Sequence, residues 1–324
     1  MRGALLNMDN LLQRLVESFK VSGHEEGIRA IIKEELKSIN GEVKEDKLGN
    51  LIFKMGDGKE KLMISTSMDE VGLMVTYIED NGFIRVANIG DINSSSILNK
   101  KVIFKNGTVG RIGSSKEKPE VEDVFIDLGL KSKEEVIKVV KEGDVAKVQG
   151  EVFNLGENVV GTGLSNIACV YSLINLIKHT NKFNKECYFV FSSQGKLGGR
   201  GGRAAVCQVH PDYAIVLSTE ESADYVGGDE KLVLGNGPAL VVKDKNLIIS
   251  HELEEIIENA AEESNIKIQH IVSKTGTEGG PIHKELGGIR TGVISIPTRY
   301  QNSMLEMISE KDTKNLQDLL KKII

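Results

Sequence analysis

Residues 188–205, YFVFSSQGKLGGRGGRAA, constrain this chain more than any other stretch. Residues 188–192 form an apolar run of strand length, and the glycine-rich segment behind it opens a helix. A strand feeding a helix through glycines is an α/β device, and such folds place their chemistry at the carboxyl ends of the strands. The turn at that end holds Ser193, Gln194, Gly195 and Lys196, with no carboxylate among them.

Before that turn, residues 10–20 carry Leu11, Leu12, Leu15, Val16 and Phe19 at helical spacing. Ser22 and Glu25 have capping-box spacing ahead of a second helix that buries Ile28, Ile31, Ile32 and Leu36. Residues 43–55 read as two strands around the turn Leu48-Gly49-Asn50, and residues 61–67 as a buried strand. From about residue 75 to 157 the texture changes to short alternating runs between Gly and Asn turns, interrupted by one helix at 132–141 capped by Ser132. At 161–166, Gly161-Thr-Gly163-Leu164-Ser165-Asn166 leads into a helix that is apolar nearly all round, with Ser165 as its cap. Residues 212–217 are another buried strand, 251–263 a helix, and Ser309 caps a last amphipathic helix.

Composition narrows the function classes. The chain has 324 residues, room for one large domain or two, and 40% hydrophobic residues to build a core. A net charge of −6 argues against nucleic acid or an anionic membrane surface as partner. The single GGRGGR run, flanked by apolar strands, reads as a helix entry rather than an RNA-binding box. No apolar run approaches the ~20 residues of a membrane span. The first residues carry Arg2 without a long apolar region, so no signal peptide is expected. Cys169, Cys187 and Cys207 are odd in number and are expected as free buried thiols in a reducing, cytoplasmic setting.

The motifs, in their order, resemble those of the tetrahedral co-catalytic metallo-aminopeptidases, the glutamyl or deblocking aminopeptidase family, some of whose members carry an endoglucanase label. Residues 67–74, SMDEVGLM, are similar to the family's H-M-D-E-I-G-L-M. Residues 194–201, QGKLGGRG, are similar to Q-E-E-V-G-L-R-G, and 276–283, GTEGGPIH, to G-T-D-A-G-x-I-H. The closest match is at 292–303, where GVISIPTRYQNS stands beside G-V-I-S-I-P-x-R-Y-x-H-S. Asp224 matches an aspartate of a family loop. The resemblance implies an α/β fold, a mixed sheet sandwiched by helices as in zinc aminopeptidases. Residues 1–68 and 161–324 would form it, with a small β-rich domain inserted at 69–160 that the family uses for subunit assembly.

The family uses two zinc or cobalt ions, and here the resemblance implies a changed site. Ser67, Ser165, Lys196, Ser218 and Asn302 stand where five metal ligands belong, and Gly195 where the general base belongs. Asp69, which in the family orients a ligand histidine, is kept. Hydroxyls, an amide and an ammonium are poor zinc donors. No bound metal or other cofactor and no catalytic residue are therefore expected. On this reading the site has exchanged its carboxylates for the single anion Asp69 and the added cation Lys196. The Lys196 ammonium is expected near the vacated metal position, paired with Asp69 or serine hydroxyls; the alternative is a side chain turned to solvent.

Two functions follow as expectations. The first is a catalytically inactive aminopeptidase homologue, an assembly subunit or peptide-binding protein. It would self-associate through the insert, alone or with an active sibling subunit. The alternative is an active hydrolase, either a metallo-aminopeptidase with other ligands or a Ser–Lys enzyme using Lys196.

Overall fold

The computed structural model of the chain describes residues 9–229 and 231–324. The stretch in which no signal peptide was expected includes residues 1–8, which lie outside the described residues. Two helices, α1 (Asn10–Glu17) and α2 (Glu26–Leu36), precede a hairpin of β1 (Glu42–Glu45) and β2 (Leu51–Met55), then β3 (Lys61–Ser67). Next come β4 (Gly72–Ile78), β5 (Ile84–Ile89), β6 (Lys101–Phe104), β7 (Val109–Ser114), β8 (Val124–Asp127), the short α3 (Lys133–Val136) and β9 (Val145–Val148). The chain continues with β10 (Val152–Leu155), β11 (Asn158–Gly161), α4 (Leu164–Lys178), β12 (Glu186–Ser192), α5 (Arg200–Val209) and β13 (Tyr213–Glu221). It closes with β14 (Ala239–Lys243), α6 (His251–Glu263), β15 (Gln269–Val272), α7 (Gly279–Ile282), β16 (Arg290–Arg299), β17 (Glu306–Ser309) and α8 (Glu310–Ile323).

Eleven strands form one mixed sheet in the order β1-β2-β12-β3-β13-β16-β17-β11-β10, with β14 and β15 branching from β16. Its centre is parallel: β12 with β3, β3 with β13, and β13 with β16. Parallel strands are buried on both faces and so read as continuous apolar runs. Along β3, β12 and β13 the alternation then splits the side chains between two layers. Ile64, Phe189, Phe191, Ile215 and Leu217 share a core with α1, α2, α4, α6 and α8. Met63, Val190, Ala214 and Val216 share the other with α5 and α7. Helix α4 is the central packing element of the first layer, with eleven buried residues. Both the mixed sheet sandwiched by helices and a small β unit beside it match the expected fold class.

That β unit is a closed six-stranded barrel, β4-β5-β8-β7-β6-β9, with its own core around Leu73, Ile84, Phe104, Ile112 and Ile126. The barrel strands run from Gly72 to Val148. The insert expected at 69–160 is thus longer than the barrel. Strands β10 and β11 form a hairpin that joins the large sheet, because β11 pairs with β17 and buries Val159 and Val160 there. The helix expected at 132–141 keeps Ser132 as its cap but shortens to α3, which buries Val136, and the turns that follow carry Val140 into the barrel core.

Two buried lysines join barrel to sheet. The Lys20 ammonium bonds the Val16 carbonyl at 2.9 Å and the Glu70 carboxylate at 3.0 Å. Lys147, on β9, bonds the carbonyls of Glu17 and Ser18. Both ammoniums thus serve the carbonyl end of α1, where cations are favoured. Of the thiols, Cys169 and Cys187 are buried, and burial pushes each up to about 12. Cys207 is exposed, contrary to expectation, because it falls on the outer face of α5.

Candidate functional site

The parallel strands end together beside the barrel, and a cleft opens there between the two units. Ser165, Lys196, Asn302 and Glu306 line it from the sheet side, and Asp91, Ile92 and Val148 from the barrel side. Of the positions singled out by sequence, Ser165, Lys196 and Asn302 therefore meet in one cleft. Ser67 and Ser218, at or near the ends of β3 and β13, are close by but do not line it. The Ser218 carbonyl is taken by the Cys169 thiol at 3.0 Å.

Asp69 organises the turn after β12. It is fully buried. Its Oδ1 accepts the Gly195 N–H at 2.9 Å and its Oδ2 the Lys196 N–H at 2.9 Å. The Ser22 hydroxyl donates to the same Oδ2. Burial pushes the carboxyl above the ordinary value, and these hydrogen bonds and the nearby Lys196 charge oppose it. The approach is so close that a Cβ at Gly195 would fall 2.3 Å from Ser67 Cβ and 2.9 Å from Asp69 Oδ1. Main chain fills the space beside Ser67, and only glycine fits it as built.

The pairing expected between the Lys196 ammonium and Asp69 is not formed. Asp69 holds Lys196 by its main-chain N–H, and the ammonium has no hydrogen bond or ion pair among the described residues. The side chain is half-buried against the barrel, its Cβ 3.0 Å from the point where Gly90 would carry one. Main-chain donors had already satisfied Asp69, so the ammonium gained nothing by turning inward.

The capping box expected from Ser22 and Glu25 is also absent, and both residues belong to the site. Ser22 serves Asp69, while Glu25 Oε1 accepts the N–H groups of Gly23 at 2.8 Å and Gln194 at 2.9 Å. Burial raises the Glu25 carboxyl despite these bonds, with the Asp69 charge adding to the rise. Asn50 fixes the same turn, accepting the Ser193 N–H at 2.8 Å and donating to the Gly201 carbonyl at 2.9 Å. Gln194 takes a left-handed φ of 51° within this frame.

Two further carboxylates escaped the sequence reading. Glu278 is half-buried beside Ser65 and Ser192, whose hydroxyls both donate to its carboxylate. Burial raises it, and Asp69 raises it further. Glu306 accepts the N–H of Ser165 at 2.7 Å and of Asn302 at 2.8 Å. Burial raises it, and Lys196 pulls the other way. Ser165 is therefore not the cap of α4, a place taken by Gly163 in left-handed conformation. The charge balance drawn from sequence, Asp69 against Lys196, is corrected accordingly: Glu25, Glu278 and Glu306 lie in the same region. Only Glu278 lies inside a family motif, the one at 276–283; Glu306 falls just past the motif at 292–303, and Glu25 was read as part of a helix cap.

The donors lining the cleft are amides, hydroxyls, one ammonium and three carboxylates: Glu306 is engaged by N–H groups and Glu70 by the Lys20 ammonium, while Asp91 has no hydrogen bond or ion pair among the described residues. Among the described residues no group of three His, Cys, Asp or Glu side chains is placed to hold a metal ion. Among the described residues no helix is long and apolar enough to cross a membrane.

Comparison with known proteins places this geometry. The profile of the M42 glutamyl aminopeptidases matches residues 49–319. A protein of Acetivibrio thermocellus, named provisionally as an aminopeptidase, is 38% identical over 322 residues, 97% of each chain. The aminopeptidase APDkam598 of the archaeon Desulfurococcus kamchatkensis superposes with a TM-score of 0.92 at 30% identity, covering 97% of this chain and 93% of that one. The TET1 peptidase of Pyrococcus horikoshii, which can assemble into a tetrahedron or a large octahedral shell, superposes at 0.88 with 28% identity, covering 97% and 98%.

Proposed function

The chain belongs to the M42 glutamyl aminopeptidase family, whose members are metal-dependent aminopeptidases, and from that premise we propose that it is a member without hydrolytic activity. It keeps the scaffold as a self-associating subunit with a binding cleft. The observation that carries the reading is the contact between Gly195 and Ser67. In the resembled motifs these positions hold the general base and a metal ligand. Here the backbone of one stands against the side chain of the other.

The donor set supports the same reading. Two divalent cations need several thiolate, imidazole or carboxylate donors converging at about 2 Å. Ser67, Ser165, Lys196, Ser218 and Asn302 supply none, and Asp69 and Glu306 direct their oxygens to main-chain N–H groups. These residues do not fit the family's metal pair. Self-association is supported by the likeness to TET1, over nearly the whole of both chains. The occupants of the cleft would be peptides or their parts, and the barrel would contribute to assembly, alone or with an active sibling.

Family membership itself favours a second reading, a working hydrolase. Its Ser–Lys form has little support, because no serine hydroxyl lies within hydrogen-bond reach of the Lys196 ammonium. Hydrolysis of amino-acyl chromogenic substrates with added zinc or cobalt separates the readings. No turnover is expected, and turnover abolished by chelator would overturn the proposal. Mass in solution tests assembly: an oligomer is expected, and a strict monomer contradicts it.

A further inference from the structure

The barrel is seated on the sheet over a buried cluster of three charges. Strand β9 alternates its side chains, so Ala146 and Val148 enter the barrel core while Val145 and Lys147 face the sheet. Val145 packs there against Val21 and Ile89. The Lys147 ammonium bonds the carbonyls of Glu17 and Ser18, the second at 2.8 Å. The Lys20 ammonium approaches the same Ser18 carbonyl at 3.4 Å, so two buried cations share one acceptor. A single carboxylate stands against them. Glu70 Oε2 takes Lys20 at 3.0 Å, and its Oε1 is buried with no hydrogen-bond partner among the described residues. Lys147 therefore has no ion pair among the described residues. The charges that face it are Lys20 and Glu17 at the end of α1 and Glu70 between β3 and β4. Its ladder neighbours add none: β6 sets Ile103 opposite Lys147, and β4 pairs Leu73 and Met74 with Ala146 and Val145.

Burial and a like charge both disfavour a cation, and both act on Lys147. Glu70 and Glu17 oppose them incompletely, and the ammonium is brought down to about 8. A neutral amine still carries two N–H groups, enough for the carbonyls of Glu17 and Ser18. We propose that Lys147 is a proton-operated latch between barrel and sheet. Charged, it loads the junction with a surplus cation and loosens the seat of the barrel. Neutral, it keeps both hydrogen bonds and fastens the barrel down. The latch adjoins the cleft, since Glu70 and Val148, the residue after Lys147, both line it. It thus sets how firmly the barrel wall stands over the cleft, whatever the cleft contains. Once released into water, Lys147 regains the ordinary lysine value of 10.5. Docking is therefore strengthened as pH rises from about 8 towards that value and is constant below it.

Hydrogen exchange of the full chain at pH 7, 8 and 9, read by mass spectrometry as protection relative to the intrinsic rate, tests this. The reporters are the junction amides, where the Ser22 N–H bonds the Glu70 carbonyl and the Glu70 N–H the Lys20 carbonyl. Their protection is expected to rise about tenfold between pH 7 and pH 9, the gain from one pH unit above the Lys147 value. Amides of β3 and β12 are expected to show no such rise. Lys147→Met should abolish it, and so should Lys147→Gln, which keeps a donor without a titrating proton. Lys20→Met removes the like charge and should move the rise to higher pH. His24→Asn, at the separate contact of His24 with Lys105 of the barrel, should leave the rise unchanged. Level junction protection in the wild type overturns the proposal, as does a rise that survives in both Lys147 variants. A rise lost in His24→Asn, or one of equal size in β3 and β12, overturns it too.

Discussion

A Cβ at Gly195 would stand 2.3 Å from the Cβ of Ser67, a separation that real side chains do not reach. The atom it meets is the root of a side chain at a strand end, not a flexible tip. Gly195→Ala is therefore expected to destabilise the protein by about 1–3 kcal/mol, the usual cost of overpacking. Gly195→Glu, which puts the family's residue back, is expected to cost at least as much and to restore no turnover. Thermal unfolding of Gly195→Ala with and without Ser67→Gly checks the cause. The double variant should recover part of the loss, since the two sites are coupled through one contact.

Buried carboxyls give this chain an unusual dependence on pH. Asp69, Glu278, Glu306 and Glu25 are all raised above their ordinary values, chiefly by burial. A raised native value means that the folded state holds more protons than the unfolded one, so these groups stabilise at low pH. Their contribution is lost as pH rises from the ordinary carboxylate range through the raised values. Glu278→Gln keeps the shape without the charge. It should flatten the decline, gaining stability relative to wild type at pH 7 compared with pH 4. Unfolding midpoints of both proteins across that range measure it, and parallel curves would exclude Glu278 as a source.

Asp224 behaves in the opposite way. It takes Arg299 in a two-pronged pair at 2.7 Å and holds the strand end from which residues 300–302 turn into the cleft. Its hydrogen bonds with Arg299, Ser222 and the Leu234 N–H outweigh burial and bring its carboxyl down to about 2. The stability it gives is present above the ordinary aspartate value near 4 and is lost as pH falls towards 2. Asp224→Asn is expected to cost about 2 kcal/mol at pH 7, and the gap to wild type should close below pH 4. A constant gap down to acid would show that the cost is one of shape.

Glu70 links the barrel to the sheet through Lys20, an ion pair with little access to water. Removing one partner of a buried pair strands the other charge. Glu70→Gln is expected to cost about 3 kcal/mol. The paired change Lys20→Met with Glu70→Leu should cost much less. Denaturant unfolding of the three proteins tests this, and equal losses in single and paired variants would refute the linkage.

Much of the architecture was legible because periodicity and glycine are local signals. The runs at 61–67 and 188–192 are apolar without alternation, as strands buried on both faces must be, and both became central strands. The site was legible only as positions. Ser22 and Glu25 have the spacing of a helix cap, and nothing local tells that Asp69 and Gln194, far along the chain, claim them instead. Nothing local to Glu278 or Glu306 tells that the hydroxyl of Ser192 and the N–H of Ser165, far along the chain, bond to them. Lys196 was misread because the competition for Asp69 is won by two main-chain N–H groups, which sequence patterns do not display.

Metal content decides whether this cleft is an emptied metal site. Purified protein would be equilibrated with excess zinc or cobalt, dialysed, and its bound metal measured per subunit alongside hydrolysis of an amino-acyl chromogenic substrate. The expected result is well under one ion per subunit and no chelator-sensitive turnover. Two ions per subunit, retained through dialysis and lost together with turnover on chelation, would contradict it.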